Sequence, residues 1–135
     1  MRNILKMIVL AVCFMTLNSF NSRAQVEHGV VFFKINNQAL ILVNGKQVYD
    51  SGHIHGDTDL ELPVDLAPFM KKGTNEVEVR LINPPCGSCD SNPWEIVFEI
   101  YEDGESIDYW FENSERGDAL ATGLVSTQVY EIEYN

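Results

Sequence analysis

From residue 30 to residue 134 the chain is written in short β-branched and aromatic runs, each soon cut off by a turn signal, and this alternation limits its fold more than any other feature. Residues 30–35 and 39–43 are two such runs, separated by Asn36-Asn37. The second is closed by Asn44-Gly45, a pair suited to the positive φ angles of a two-residue hairpin, and 47–49 begins the returning strand. Glu76-Val77-Glu78-Val79-Arg80-Leu81 alternates strictly, as a strand with one wet face must. Runs at 94–101, 106–112 and 125–134 complete the set. The one helical piece expected is a turn at 66–72, interrupted by Pro68 and stopped by Gly73. Seven to eight short strands at this spacing, with no long amphipathic helix, predict an all-β protein: an antiparallel β-sandwich or jelly roll.

The first 24 residues do not belong to this pattern. Arg2 and Lys6 lead an uncharged apolar stretch at 8–17, and Ser22 and Ala24 place small side chains just ahead of Gln25. That is the layout of a signal peptide over 1–24, and it predicts an exported protein: periplasmic, secreted or held at the cell surface. The apolar stretch is short for a membrane span and no second one follows, so no span is expected. Leu10-Ala11-Val12-Cys13 loosely resembles a lipidation box, but Val12 is bulky where a small residue is required. Residues 25–135 then form a single domain of common size, without internal repeat or linker.

Charge narrows the partners. The chain has 20 acidic against 9 basic residues, a formal charge of −11. Loss of 1–24 removes Arg2, Lys6 and Arg23 and no acid, so the exported part is more acidic still. Nucleic acid is excluded as a partner, since binding a phosphate backbone needs a basic face that releases counterions.

A family resemblance emerges from Ile41-Leu42-Val43-Asn44-Gly45-Lys46 together with Val64-Asp65-Leu66-Ala67-Pro68-Phe69-Met70-Lys71-Lys72-Gly73-Thr74-Asn75-Glu76-Val77-Glu78-Val79-Arg80. A strand, an Asn-Gly-Lys hairpin, a loop, Asp-Leu-x-Pro, a Lys-Gly-x-Asn turn and an alternating strand resemble the galactose-binding-like β-sandwich, an accessory domain type of glycoside hydrolases. The resemblance covers residues 39–82 and implies the fold. The matching residues shape turns, so they carry no ligand set of their own.

Three groups of side chains are candidates for chemistry. Cys86-Gly87-Ser88-Cys89 holds the only cysteines of the exported part, in a compartment where thiols oxidise. A redox dithiol usually places its first cysteine at a helix N-terminus. Here Pro84-Pro85 precedes the pair and Asp90-Ser91-Asn92-Pro93 follows, which is loop composition, so the expectation is a small disulfide that stiffens a loop. Second, an extended segment from His53 to Glu61 would align His53, His55, Asp57, Asp59 and Glu61 on one face. Imidazoles with carboxylates suit a transition metal and the carboxylates alone suit calcium, whereas Gly52 and Gly56 mark a solvated acidic loop. A zinc site joining both histidines to both cysteines is chemically possible, but nothing in the sequence brings the two pairs together.

The third group follows from a hairpin register. Asp103-Gly104 as a two-residue turn pairs Glu102 with Glu105, Tyr101 with Ser106, Ile100 with Ile107, Phe98 with Tyr109 and Ile96 with Phe111. The opposite face then carries Glu99 against Asp108, Val97 against Trp110 and Glu95 against Glu112. An exposed Trp110 among Glu95, Glu99, Asp108 and Glu112 would form a platform for a sugar ring, a cationic group or Ca2+. The alternative is that Trp110 covers a strand edge and the acids face solvent. No Gly-x-Ser-x-Gly elbow, phosphate loop or zinc-protease helix is present. The resulting expectation is an exported, non-catalytic binding module that recognises a glycan or a protein surface. A structural subunit, assembling through its sheet edges and acidic face, is the alternative.

Overall fold

The computed structural model describes residues 26–55, 59–115 and 121–135. The signal peptide expected over 1–24, with Cys13, lies outside these residues, as does Asp57. Eight strands follow one another: β1 (Gly29–Asn36), β2 (Gln38–Val43), β3 (Lys46–Asp50), β4 (Leu62–Asp65), β5 (Gly73–Asn83), β6 (Glu95–Glu102), β7 (Glu105–Asn113) and β8 (Gly123–Tyr134). They form two four-stranded sheets, in the orders β4-β1-β6-β7 and β3-β2-β5-β8, with every pairing antiparallel. The all-β sandwich expected from the strand pattern is the observed architecture.

Turn chemistry sets the hairpins. Asn44 and Gly45 have φ of 51° and 78°, and Asp103 and Gly104 have the same two values, so both hairpins close on the positive-φ pair that matches strand twist. The piece expected at 66–72 contributes only a short 3-10 helix, Ala67–Phe69, starting beside Pro68. Strand β4 escapes sequence reading because it is four residues long and contains Pro63. It lies at a sheet edge, where a proline is tolerated. A Cβ on Gly29 would stand 2.3 Å from the Val64 carbonyl oxygen, so β4 can lie this close to β1 only because position 29 has no side chain.

Alternate residues of the inner strands build one core. Ala39, Ile41 and Val43 of β2, with Val77, Val79 and Leu81 of β5, face Val30, Phe32 and Ile35 of β1 and Ile96, Phe98 and Ile100 of β6. A bulge between Phe32 and Lys34 restores the inward phase for Ile35. Among the described residues, no helix is long and apolar enough to cross a membrane.

The β6–β7 hairpin departs from its expected register. Glu102 opposes Glu105 and Tyr101 opposes Ser106, as the turn dictates, but the next pair is Ile100 with Asp108. Ile107 is the extra residue of a bulge and is 47% exposed. Because side chains alternate with period two, one inserted residue exchanges the faces of everything beyond it. Phe98 therefore opposes Trp110, Ile96 opposes Glu112, Glu99 opposes Tyr109 and Glu95 opposes Asn113.

Candidate functional site

The exchanged faces dissolve the expected Trp110 platform. Trp110 packs against the core instead of standing on the outer face. Its Nε1 donates to Glu112, whose carboxylate also accepts the Ser126 hydroxyl of β8 at 2.6 Å. Asp108 accepts the Tyr130 hydroxyl at 3.0 Å. Asp108, Trp110 and Glu112 thus bridge β7 to β8 where the edges of the two sheets meet. Glu99 and Glu95 lie on the other face, where Glu99 accepts the Tyr101 hydroxyl and Glu95 pairs with Lys34 at 2.8 Å. The five side chains do not share a surface, and the two like-charge pairs expected from the simple register do not occur.

Tyr130 is the most strongly perturbed group of this seam. Burial first, and then the hydrogen bond and charge of Asp108, push its phenol well above the ordinary 10.0. The folded protein holds this proton to higher pH than the unfolded chain does. The resulting stability is complete below the ordinary value and is lost as pH rises beyond it. Tyr130→Phe is expected to flatten the alkaline fall of the melting temperature, leaving the smaller effect of Tyr49, whose phenol is raised by burial and by Asp50. An unchanged alkaline limb in thermal melts across pH 8 to 11 would remove Tyr130 as its cause.

The second candidate group lies at the opposite kind of place, on the loops at one end of the sandwich. The registers bring this end together: Asn36 opposes Glu95, Gln38 opposes Ile82, and Asn83 opposes Gly123. At its centre Asn37 turns the chain from one sheet to the other with φ of 98°, a left-handed conformation that asparagine adopts more readily than most residues. Its N–H and C=O exchange hydrogen bonds with Ile54, at 2.8 and 2.7 Å. That bridge holds 53–55 extended, so His53 and His55 lie on one side of the segment while Ile54 packs on the core. The two imidazole rings meet edge to face, with centroids 4.5 Å apart.

A network of asparagines fixes the facing loop. Asn83 is fully buried, and its Nδ2 donates to the carbonyls of Asn92 at 3.0 Å and Ala121 at 2.7 Å. Its Oδ1 accepts from Asn37 Nδ2 at 2.5 Å. Asn92 Nδ2 donates to the Pro84 carbonyl at 2.8 Å, and Asn36 Nδ2 to that of Pro93 at 3.0 Å. Between these anchors Cys86 and Cys89 stand at disulfide-bonding distance across the Gly87-Ser88 turn, with Cα atoms 5.6 Å apart. The pair lies in the loop between β5 and β6, as its composition suggested.

These pieces enclose an open cleft of about 370 Å3, lined by Asn36, Asn37, His53, His55, Cys86, Cys89, Ser91 and Asn92 with the rings of Pro84, Pro85 and Pro93. The histidine pair and the cysteine pair, far apart in sequence, are neighbours in space. Among the described residues no three His, Cys, Asp or Glu side chains are gathered so as to hold a metal ion, so Asp59 does not join His53 and His55. Asn83 and Asn92 were missed by sequence reading. Only Asn37 carried a signal, as half of an Asn-Asn turn. Amides, imidazoles and a hydroxyl around this hollow can hydrogen-bond a polar ligand.

The fold and this cleft define an all-β sandwich with a polar hollow at one loop end. Comparison with protein-family models, with curated proteins and with solved structures returns no match.

Proposed function

We propose that this chain is an exported, non-catalytic binding module of the galactose-binding-like kind, which recognises a glycan or a protein surface in the periplasm or outside the cell. The observation that most supports this reading is the loop-end cleft: about 370 Å3, with donors and acceptors held in place by buried hydrogen bonds. A hollow of that size with a few fixed polar groups suits a small ligand or the end of a chain. Export is supported by the layout of residues 1–24 and by a cysteine pair at bonding distance.

Glycan-array binding by the exported protein, with and without calcium, tests the reading. His53→Ala with His55→Ala is expected to abolish the array signal while leaving the melting temperature nearly unchanged, because both side chains are exposed. A signal that survives this double change would place the binding surface elsewhere. Binding to no glycan and to no protein of the cell exterior would sink the module reading.

The assembly reading draws on Ile107, Tyr109, Leu124 and Val129, large apolar side chains exposed on β7 and β8. Against strand addition at β7 stand its bulge and its inward-directed acids, devices that blunt an edge. Light scattering over a concentration series separates the two: a concentration-independent dimer or higher oligomer favours assembly, a monomer favours the module.

A further inference from the structure

We propose that the Cys86–Cys89 bridge is an exchange-active disulfide, opened by a small thiol that enters the cleft, with His53 and His55 carrying the proton. This goes beyond the binding reading and does not depend on a glycan ligand.

Four observations support it. Both cysteines are exposed and line the cleft, so an attacking thiolate has access to sulfur. The bridge closes only a three-residue sequence separation, lies between strands and not within one, and so contributes little chain entropy to the fold. Opening it therefore leaves both sheets paired. The loop on either side stays anchored through the carbonyls of Pro84, Asn92 and Pro93, which keeps two free thiols close enough to reclose. Finally, two imidazoles line the same hollow, and imidazole is the side chain best suited to exchanging protons near neutrality.

The chemistry balances without a further reagent. A thiol of the partner gives its proton to an imidazole, and the thiolate attacks one sulfur of the bridge. The Cys86–Cys89 bond breaks, a mixed disulfide forms, and the departing thiolate takes a proton back from the imidazolium. A second partner thiol resolves the mixed disulfide: two partner thiols are oxidised to one disulfide and the cysteine pair is reduced to two thiols. Among the described residues the lining of the cleft holds no Asp, Glu, Lys or Arg, and the chain carries −11, so an uncharged or cationic low-molecular-weight thiol is the partner class that fits.

The test is the rate at which cysteamine opens the bridge in the folded, exported protein, read by alkylation and intact mass between pH 6 and 8. Mercaptopropionate serves as the anionic counterpart, and Cys86→Ser with Cys89→Ser as the blank. Expected are opening without denaturant, no loss of the sheet signal in circular dichroism, and faster reaction with cysteamine. His53→Gln with His55→Gln should slow opening about tenfold and steepen its pH dependence towards that of a free thiolate reaction. A bridge that opens only in denaturant overturns the proposal. So does an equal rate and pH profile in the histidine variant, which would leave the bridge a structural clasp. Glycan binding can fail while exchange succeeds, or the reverse, so the two readings are separable.

Discussion

Trp110→Ala is expected to destabilise the protein by about 3 kcal/mol, the lower end of what loss of a core aromatic costs, because the ring is partly exposed. Phe111→Ala, one residue on, is expected to cost about 1 kcal/mol, since that ring is half-buried on the outer face. The order is the reverse of what a regular hairpin would give. Trp110 lies opposite Phe98, itself fully buried and edge to face with Tyr130, and packs against the same core. Its removal leaves a hollow lined by these rings and frees one hydrogen bond to Glu112. Urea titrations of the two variants decide the matter. Equal losses, or a larger one for Phe111→Ala, would mean that the bulge at Ile107 is absent in solution.

A comparable loss, about 3 kcal/mol, is expected for Asn83→Ala, by a different route. No cavity of consequence is created, but the carbonyls of Asn92 and Ala121 and the Asn37 amide lose partners, and unpaired buried polar groups cost about 1–3 kcal/mol each. The Asn37 amide retains a second, longer contact to Pro93, at 3.3 Å, which limits the total. The same change should accelerate amide hydrogen exchange across residues 86–92 by more than the rise that the lost global stability brings to β2 and β5. A variant with wild-type midpoint and wild-type exchange in that loop would show that the asparagine network does not hold the cleft.

Much of the architecture was legible because strand pattern and turn residues agreed. Val77, Val79 and Leu81 announce their inward face by period two, and Asn44-Gly45 and Asp103-Gly104 each close a hairpin where expected. What local pattern does not encode is a change of phase. Residues 105–113 alternate in either register, with Ile107, Tyr109 and Phe111 offering an apolar face as convincing as Trp110 and its neighbours. The choice is made by the opposite sheet, where Tyr130 and Ser126 supply hydroxyls for Asp108 and Glu112. The cleft was illegible for a related reason. His53 and His55 meet Cys86 and Cys89 only because Asn37 changes sheets and pins Ile54, a contact between residues distant along the chain. Asparagines that serve as buried hubs look, in sequence, like ordinary loop residues.

The bulge at Ile107 also sets how this edge of the molecule can change. Substitution alters one side chain at a time, whereas pairing Ile107 with Ile100 in place of the bulge would shift β7 by one residue and exchange the whole strand at once. Trp110, Asp108 and Glu112 would turn to solvent, and Tyr109 and Phe111 would turn inward. A buried seam and an exposed acidic, aromatic surface are therefore one step of register apart. A change of register, more than point replacement, is the step by which a strand of this kind acquires or loses a binding face.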